Sequence, residues 1–286
     1  MDKTTVFILD DVSFSYGNVP VLKHLSLEII KSRFYGIVGP NGCGKTTMLD
    51  LMAGIREPQQ GTIAYKGKNL KEYSKRELAK NIALVPQDFY INFPFTVEEI
   101  IFMGRHPYIP RFGSPSPEDV EIVKHTMELM EIEEFSDKYV TELSGGEKQR
   151  VVFARAFAQD TPVLILDEGT SNMDIRHTLK VLNITKSSVK SGHKTVIAAM
   201  HDLNLAAEFC DYLIFMKEGR IISQGHIDDV LTEDNIRKVF EVEAKVYFDS
   251  FSGARHVVFR TNERARGLSG RIGSGEEKLK GRKSLQ

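Results

Sequence analysis

The 286-residue chain has no tryptophan and only two cysteines, Cys43 and Cys210. Two cysteines are no disulfide framework for a chain this long, so free thiols and a reducing compartment are expected. A dominant charge is also missing. Lys and Arg number 38 against 39 Asp and Glu, for a formal net charge of −1. Nothing global favours a polyanion, and no nucleic-acid partner is expected. No apolar run approaches the roughly twenty residues that span a bilayer. The opening "MDKTTVFILDDV" has an apolar run of only four residues, which meets two aspartates. No signal peptide is expected there.

What is present suits a folded domain. Hydrophobic residues make up 41% of the chain, enough for a sizeable core. Val12, Phe14 and Tyr16 alternate, as do Leu25, Leu27 and Ile29, which predicts half-buried strands. "FYGIV" (34–38), "VLIL" (163–166) and "TVIAAM" (195–200) are nearly continuous apolar runs. Such runs suit parallel strands covered on both faces. Helical patterns lie between them, so the core is expected to be α/β.

Residues 88–158 differ. Helices are expected near Thr96–Arg105, near Glu118–Met130 and from Gly145 onward. The connector "HPYIPRFGSPSP" holds four of the ten prolines. This predicts a helical insert bounded by about Gln87 and Gln159. "KEGR" (217–220) predicts a turn between strands, "TEDNIRKVF" (232–240) a short helix, and "AKVYF" with "RHVVF" a strand pair. Residues 1–261 are expected to form one domain. The segment 262–286, rich in Gly, Ser, Lys and Arg, is expected to be disordered.

The chemistry begins at "GPNGCGKTT", residues 39–47. Gly39-x-x-x-x-Gly44-Lys45-Thr46 is a P-loop pattern, set between a strand-like and a helix-like run. Glycines let backbone N–H groups converge on phosphate oxygens, and the helix start adds its positive end. Lys45 supplies a point charge to the β- and γ-phosphates, and the Thr46 hydroxyl suits Mg²⁺. Gly39, Pro40, Asn41, Gly42, Cys43, Gly44, Lys45, Thr46 and Thr47 are therefore the candidate nucleotide cradle. "VLILDE" (163–168) ends a buried strand with Asp167 and Glu168. Ligands of open α/β sheets bind beyond such strand ends. One carboxylate can serve the metal and the other an attacking water.

"TELSGGEKQRVVFARA" (141–156) resembles the signature motif of the ATP-binding cassette (ABC) family, and five further motifs fall in that family's order. Tyr16 in "SFSYG" resembles the aromatic that stacks on adenine, and Gln87 in "VPQD" resembles the Q-loop residue. Asp167 and Glu168 resemble the Walker B pair. "SNMD" (171–174) is similar to the D-loop, with Asp174 at its end, and His201 in "AMHDLNLA" to the switch histidine. Each has a bland alternative when taken singly. Ser144-x-x-Glu147 is also an ordinary capping box, and His201 alone could be a core histidine. The ordered set is what carries the likeness, over about residues 6–225.

The resemblance implies a P-loop NTPase (RecA-like) core with an antiparallel β subdomain and an inserted α-helical subdomain. It implies ATP hydrolysis with Mg²⁺, held by Thr46, Gln87 and Asp167. Glu168 would be the general base, His201 would contact the γ-phosphate, and Gln87 would couple the site to the insert. Two copies would pair head to tail, so that Ser144, Gly145, Gly146 and Glu147 of one close on the ATP of the other and Asp174 bridges the sites. Cys43, Gly169 and Met173 depart from the family's commonest residues. Cys43 puts a thiol in the loop, so maleimide is expected to inactivate the protein unless ATP protects it.

A single complete cassette suits an ATPase subunit whose membrane part is a separate chain, peripheral on the cytoplasmic face of the membrane. The segment 95–119, with "HDLNLA" (201–206), resembles importers of iron–siderophore complexes, haem or cobalamin. Those work with a permease and an extracytoplasmic binding protein. Zinc or manganese importers are the alternative cargo class. A soluble cassette acting on nucleic acid or ribosomes, and a scaffold that binds ATP without hydrolysis, are weaker readings. The former predicts tandem cassettes, a coiled coil or a Cys-rich insert, and the hydrolytic groups are all present.

Overall fold

A computed structural model describes residues 5–89, 93–169 and 173–260. Strands β1 (Thr5–Tyr16) and β2 (Val19–Ile30) form a long antiparallel hairpin. Strand β3 (Phe34–Val38) is buried at every position and delivers the chain to helix α1 (Lys45–Met52). Strands β4 (Gln60–Tyr65) and β5 (Lys68–Asn69) then join the hairpin, giving a sheet of order β2-β1-β4-β5. Helix α2 (Lys75–Ala79) leads to β6 (Ile82–Val85).

The chain next becomes helical, as the sequence predicts. Helices α3 (Val97–Phe102), α4 (Pro117–Met130) and α5 (Gly145–Ala158) follow with short 3₁₀ turns between them. Thr96, Ser116 and Ser144 each form a reciprocal capping box at these helix starts. The expected first helix, 96–105, ends its α-helical part at Phe102 and continues as a 3₁₀ turn over Met103–Arg105.

Strand β7 (Val163–Asp167), helix α6 (Ile175–Lys190), strand β8 (Thr195–Ala199) and helix α7 (Leu203–Phe209) return to alternation. Strands β9 (Tyr212–Lys217) and β10 (Arg220–His226) flank the expected turn. Helices α8 (Ile227–Val230) and α9 (Glu233–Phe240) and the hairpin of β11 (Ala244–Asp249) and β12 (Ala254–Phe259) complete the described chain. Cys210, read as helical, follows the last residue of α7 as its cap.

The second sheet has order β10-β9-β3-β8-β7-β6. Its β6, β7, β8, β3 and β9 are parallel, and only β10 is antiparallel. Strands β3, β7 and β8 are buried throughout, which their unbroken apolar runs require. One core cluster packs the insert and one sheet face, with Phe34, Phe153 and Phe215 fully buried. The other joins the antiparallel sheet to helix α1 through Phe7, Tyr65 and Met48. Among the described residues no helix is long and apolar enough to cross a membrane. The tail expectation for 262–286, and Ser171 and Asn172 of "SNMD", lie outside the described residues.

Candidate functional site

The phosphate loop leaves the carboxyl end of β3, the central strand beside β8. Its backbone is held by close approach. A Cβ on Gly39 would stand 2.2 Å from the Met216 carbonyl oxygen. Gly44 is left-handed at φ 105° and caps α1 without any side-chain hydrogen bond. The first turn of α1 carries no acidic residue. The helix start therefore has free N–H groups and no carboxylate of its own first turn to compete for them, the arrangement that receives phosphate.

Lys45 is buried, and its Nζ donates to the Gly39 carbonyl at 3.0 Å and the Pro40 carbonyl at 3.3 Å. It also lies 3.9 Å from Glu168 Oε1. The Thr46 hydroxyl donates to Asp167 Oδ1 at 3.1 Å. Asp167 is only 4% exposed, and burial pushes its carboxyl up to about 6. Two hard oxygen donors thus meet in a buried place that disfavours an uncompensated carboxylate. That donor set fits Mg²⁺.

Glu168 is the hub. Gln87 Nε2 donates to its Oε2 at 2.8 Å, and His201 Nε2 sits 2.5 Å from its Oε1. Its side chain is 12% exposed and its φ is +52°, a left-handed conformation unusual for a residue with a Cβ. A cleft of about 460 Å³ is lined by Asn41, Gly42, Gly44, Lys45, Thr46, Thr47, Gln87 and Glu168, with Val21 of β2 at its side. Three separated motifs thus line one volume, and His201, in a neighbouring cleft, joins them through Glu168.

Other predicted residues stand elsewhere. Tyr16, Asp174 and Ser144 to Glu147 are not among the residues lining that cleft. Ser144 Oγ accepts from the Glu147 amide and Glu147 Oε2 from the Ser144 amide, so the signature start is also a structural cap. Asp174 caps α6, accepting from His177 N at 2.9 Å and lying 2.8 Å from His177 Nδ1. Those contacts hold its carboxyl below the usual range. Cys43 and Cys210 are both free and buried. Burial pushes the Cys43 thiol above its ordinary value, which slows the maleimide reaction expected from the sequence.

Sequence reasoning missed Gln149. Its Nε2 donates to the Gly169 carbonyl at 2.5 Å, tying the signature helix to the residue after Glu168. The signal was available. Gln149, Val152, Phe153 and Ala156 form one buried helical stripe, and Gln149 is its polar member.

A phosphate loop at the end of a central parallel strand, with an acidic strand end beside it, defines a P-loop nucleotide-binding cassette. The chain belongs to the ABC transporter family, whose model matches residues 22–171. It is 40% identical to the cobalamin import ATP-binding protein BtuD of Halobacterium salinarum over 234 residues, 82% of this chain and 58% of that protein. The chain therefore spans little more than half the length of that relative. It is 34% identical to the iron(3+)-hydroxamate import ATP-binding protein FhuC of Bacillus subtilis, covering 84% of this chain and 89% of that one. Among solved structures it resembles an ABC transporter assigned to the metal-chelate type, in an inward-facing conformation, with TM-score 0.77 and 26% identity over 90% of this chain and 98% of that chain.

Proposed function

We propose that the chain hydrolyses ATP to power a membrane importer of iron–siderophore complexes, haem or cobalamin. The observation that carries the enzymatic half is the convergence of Lys45, Gln87 and His201 on Glu168 beside the phosphate loop. Likeness to cobalamin and hydroxamate import subunits supports the cargo class. Residues 1–261 act as one ATPase domain, peripheral on the cytoplasmic face of the membrane.

In this reading Gly39 to Thr47 cradle the triphosphate and Tyr16 stacks on the adenine. Thr46, Asp167 and Gln87 would hold Mg²⁺, which would supply charge neutralisation at the phosphates. Glu168 takes the proton of the water that attacks the γ-phosphorus, and the bond to the ADP oxygen breaks in line. Lys45 and His201 turn toward the γ-phosphate when it arrives, moving their N–H donors from the carboxylate to the substrate. Gln87 senses that change and carries it to the insert.

The signature residues lie away from the chain's own cleft, so a second copy must supply them. Two chains pair head to tail, with Ser144, Gly145, Gly146 and Glu147 facing the partner's nucleotide and Asp174 at the shared seam. Permease subunits and, across the membrane, a substrate-binding protein complete the machine. The test is tagged Glu168→Gln, which traps ATP, purified from detergent-solubilised membranes with ATP and Mg²⁺. Recovery of a polytopic permease is the expected result, and its identity narrows the cargo, bare zinc or manganese included. Recovery of only soluble proteins or nucleic acid would overturn the transport reading.

A further inference from the structure

Tyr16 closes the β1–β2 hairpin, paired with Val19 two residues before Val21, which lines the phosphate cleft. It is 43% exposed. Its ring is not left loose. Phe14 meets it edge-on at 5.1 Å and 85°. The Arg56 guanidinium lies over it, 4.7 Å from the ring centroid. No sequence motif drew attention to Arg56.

The guanidinium is itself anchored. Arg56 Nε donates to Asp50 Oδ2 at 3.0 Å. The Ile55 and Arg56 amides both reach the Asp50 carbonyl, at 3.0 and 3.4 Å. Asp50 belongs to α1, the helix whose start forms the phosphate cradle. Gln59 fixes the other side of the same turn. Its side chain accepts from the Ser15 amide at 2.8 Å and donates to the Ser15 carbonyl at 3.0 Å. The turn 55–59 is thus clamped between α1 and the residue before Tyr16.

We infer that Arg56 is a positioning residue for the nucleotide base: it backs one face of Tyr16 and presents the other to adenine. This rests on the reading of Tyr16 as the base platform. A cation over a ring sits on the negative face of its quadrupole and resists tilting of the ring. The anchoring through Asp50 ties the platform on β1 to α1, the helix whose start closes the phosphate cradle. The separation between base and triphosphate is then set before the ligand arrives, which lowers the ordering cost of binding.

The experiment is calorimetric titration of the full chain with Mg-ATP and, separately, with inorganic tripolyphosphate, which has no base. Arg56→Ala is expected to raise the Kd for ATP about two- to fivefold. Tripolyphosphate binding is expected to stay unchanged, Arg56→Lys to recover part of the loss, and the Arg56→Ala, Tyr16→Ala double variant to bind ATP no worse than Tyr16→Ala. Arg56→Met keeps the aliphatic stem and serves if Arg56→Ala fails to fold. Three results would overturn the inference. One is equal loss for both ligands, the mark of a general structural role. Another is unchanged or tighter ATP binding in Arg56→Ala while Tyr16→Ala weakens it. The third is unchanged ATP binding in Tyr16→Ala, which removes the platform itself.

Discussion

His201 Nε2 and Glu168 Oε1 stand 2.5 Å apart at the hub of the site. The carboxylate assigned the proton-abstracting role therefore rests in a held position. Glu168→Gln keeps the size of the side chain but not its basicity, and it leaves one oxygen to accept where the carboxylate had two. It is expected to lower kcat by about 10²–10⁴-fold, with ATP affinity retained. Single-turnover hydrolysis and equilibrium dialysis on the same preparation separate the two effects. A kcat within the range of the parent protein would remove Glu168 from the base role.

Asp167 gives a pH dependence. Its folded value is raised to about 6 from an ordinary 3.8, first by burial. The native state thus binds the proton more tightly than the unfolded chain. Stability from this group is greatest below pH 4 and is lost as pH rises through about 6. The full loss is on the order of 3 kcal/mol. Asp167→Asn, which cannot ionise, is expected to raise the Tm of metal-free protein at pH 7.5 relative to the parent, with the difference shrinking as pH falls toward about 4. Thermal melts in chelator across that range check it. A difference independent of pH would contradict the assignment.

Gly169 follows the hub residue, where a Cβ would stand 2.8 Å from Val85 Cγ1 and 3.1 Å from the Phe153 ring. Gly169→Ala is expected to destabilise by about 1–3 kcal/mol through overpacking. Val85→Ala in the same chain makes room and is expected to recover part of that loss. Denaturant titration of the parent, both single variants and the double variant measures the coupling. Additive effects would show that the two sites do not press on each other.

Cys43 is buried inside the phosphate loop, and its thiol is held above the ordinary value by burial. Maleimide is therefore expected to react slowly at pH 7, faster as pH rises, and more slowly still with Mg-ATP bound. Cys210 is just as buried, but it packs inside the core beside Met200 rather than in a ligand-binding loop, so it is expected to react last. Peptide mass mapping over time distinguishes the thiols. Complete Cys43 labelling with full ATPase activity would show that the loop tolerates the bulk.

The sequence made the P-loop, the acidic strand end and the insert legible because each obeys a local rule. Phosphate needs small residues before a helix start, and buried parallel strands need unbroken apolar runs. Capping at Thr96, Ser116 and Ser144 likewise follows from a four-residue pattern. Strand β5 went unread because it is two polar residues, and β4 because its alternation is confined to Ile63 and Tyr65 and its partner β1 lies far back in the chain. The left-handed Glu168, the Arg56–Tyr16 stack and the Gln149–Gly169 hydrogen bond are tertiary. Each joins residues whose adjacency no periodicity encodes.

The turn after β9 reaches back to the phosphate loop. Gly219 N donates to the Cys43 carbonyl at 3.1 Å, and Lys23 N donates to the Gly219 carbonyl at 2.8 Å. A Cβ on Gly219 would fall 2.1 Å from the Val21 oxygen. On the ribosome, residues 39–47 emerge long before the turn that braces them. The nascent chain therefore carries an unfinished nucleotide cradle until that turn arrives. ATP can act as a folding ligand for the braced cradle only after Met216 and Gly219 have left the exit tunnel.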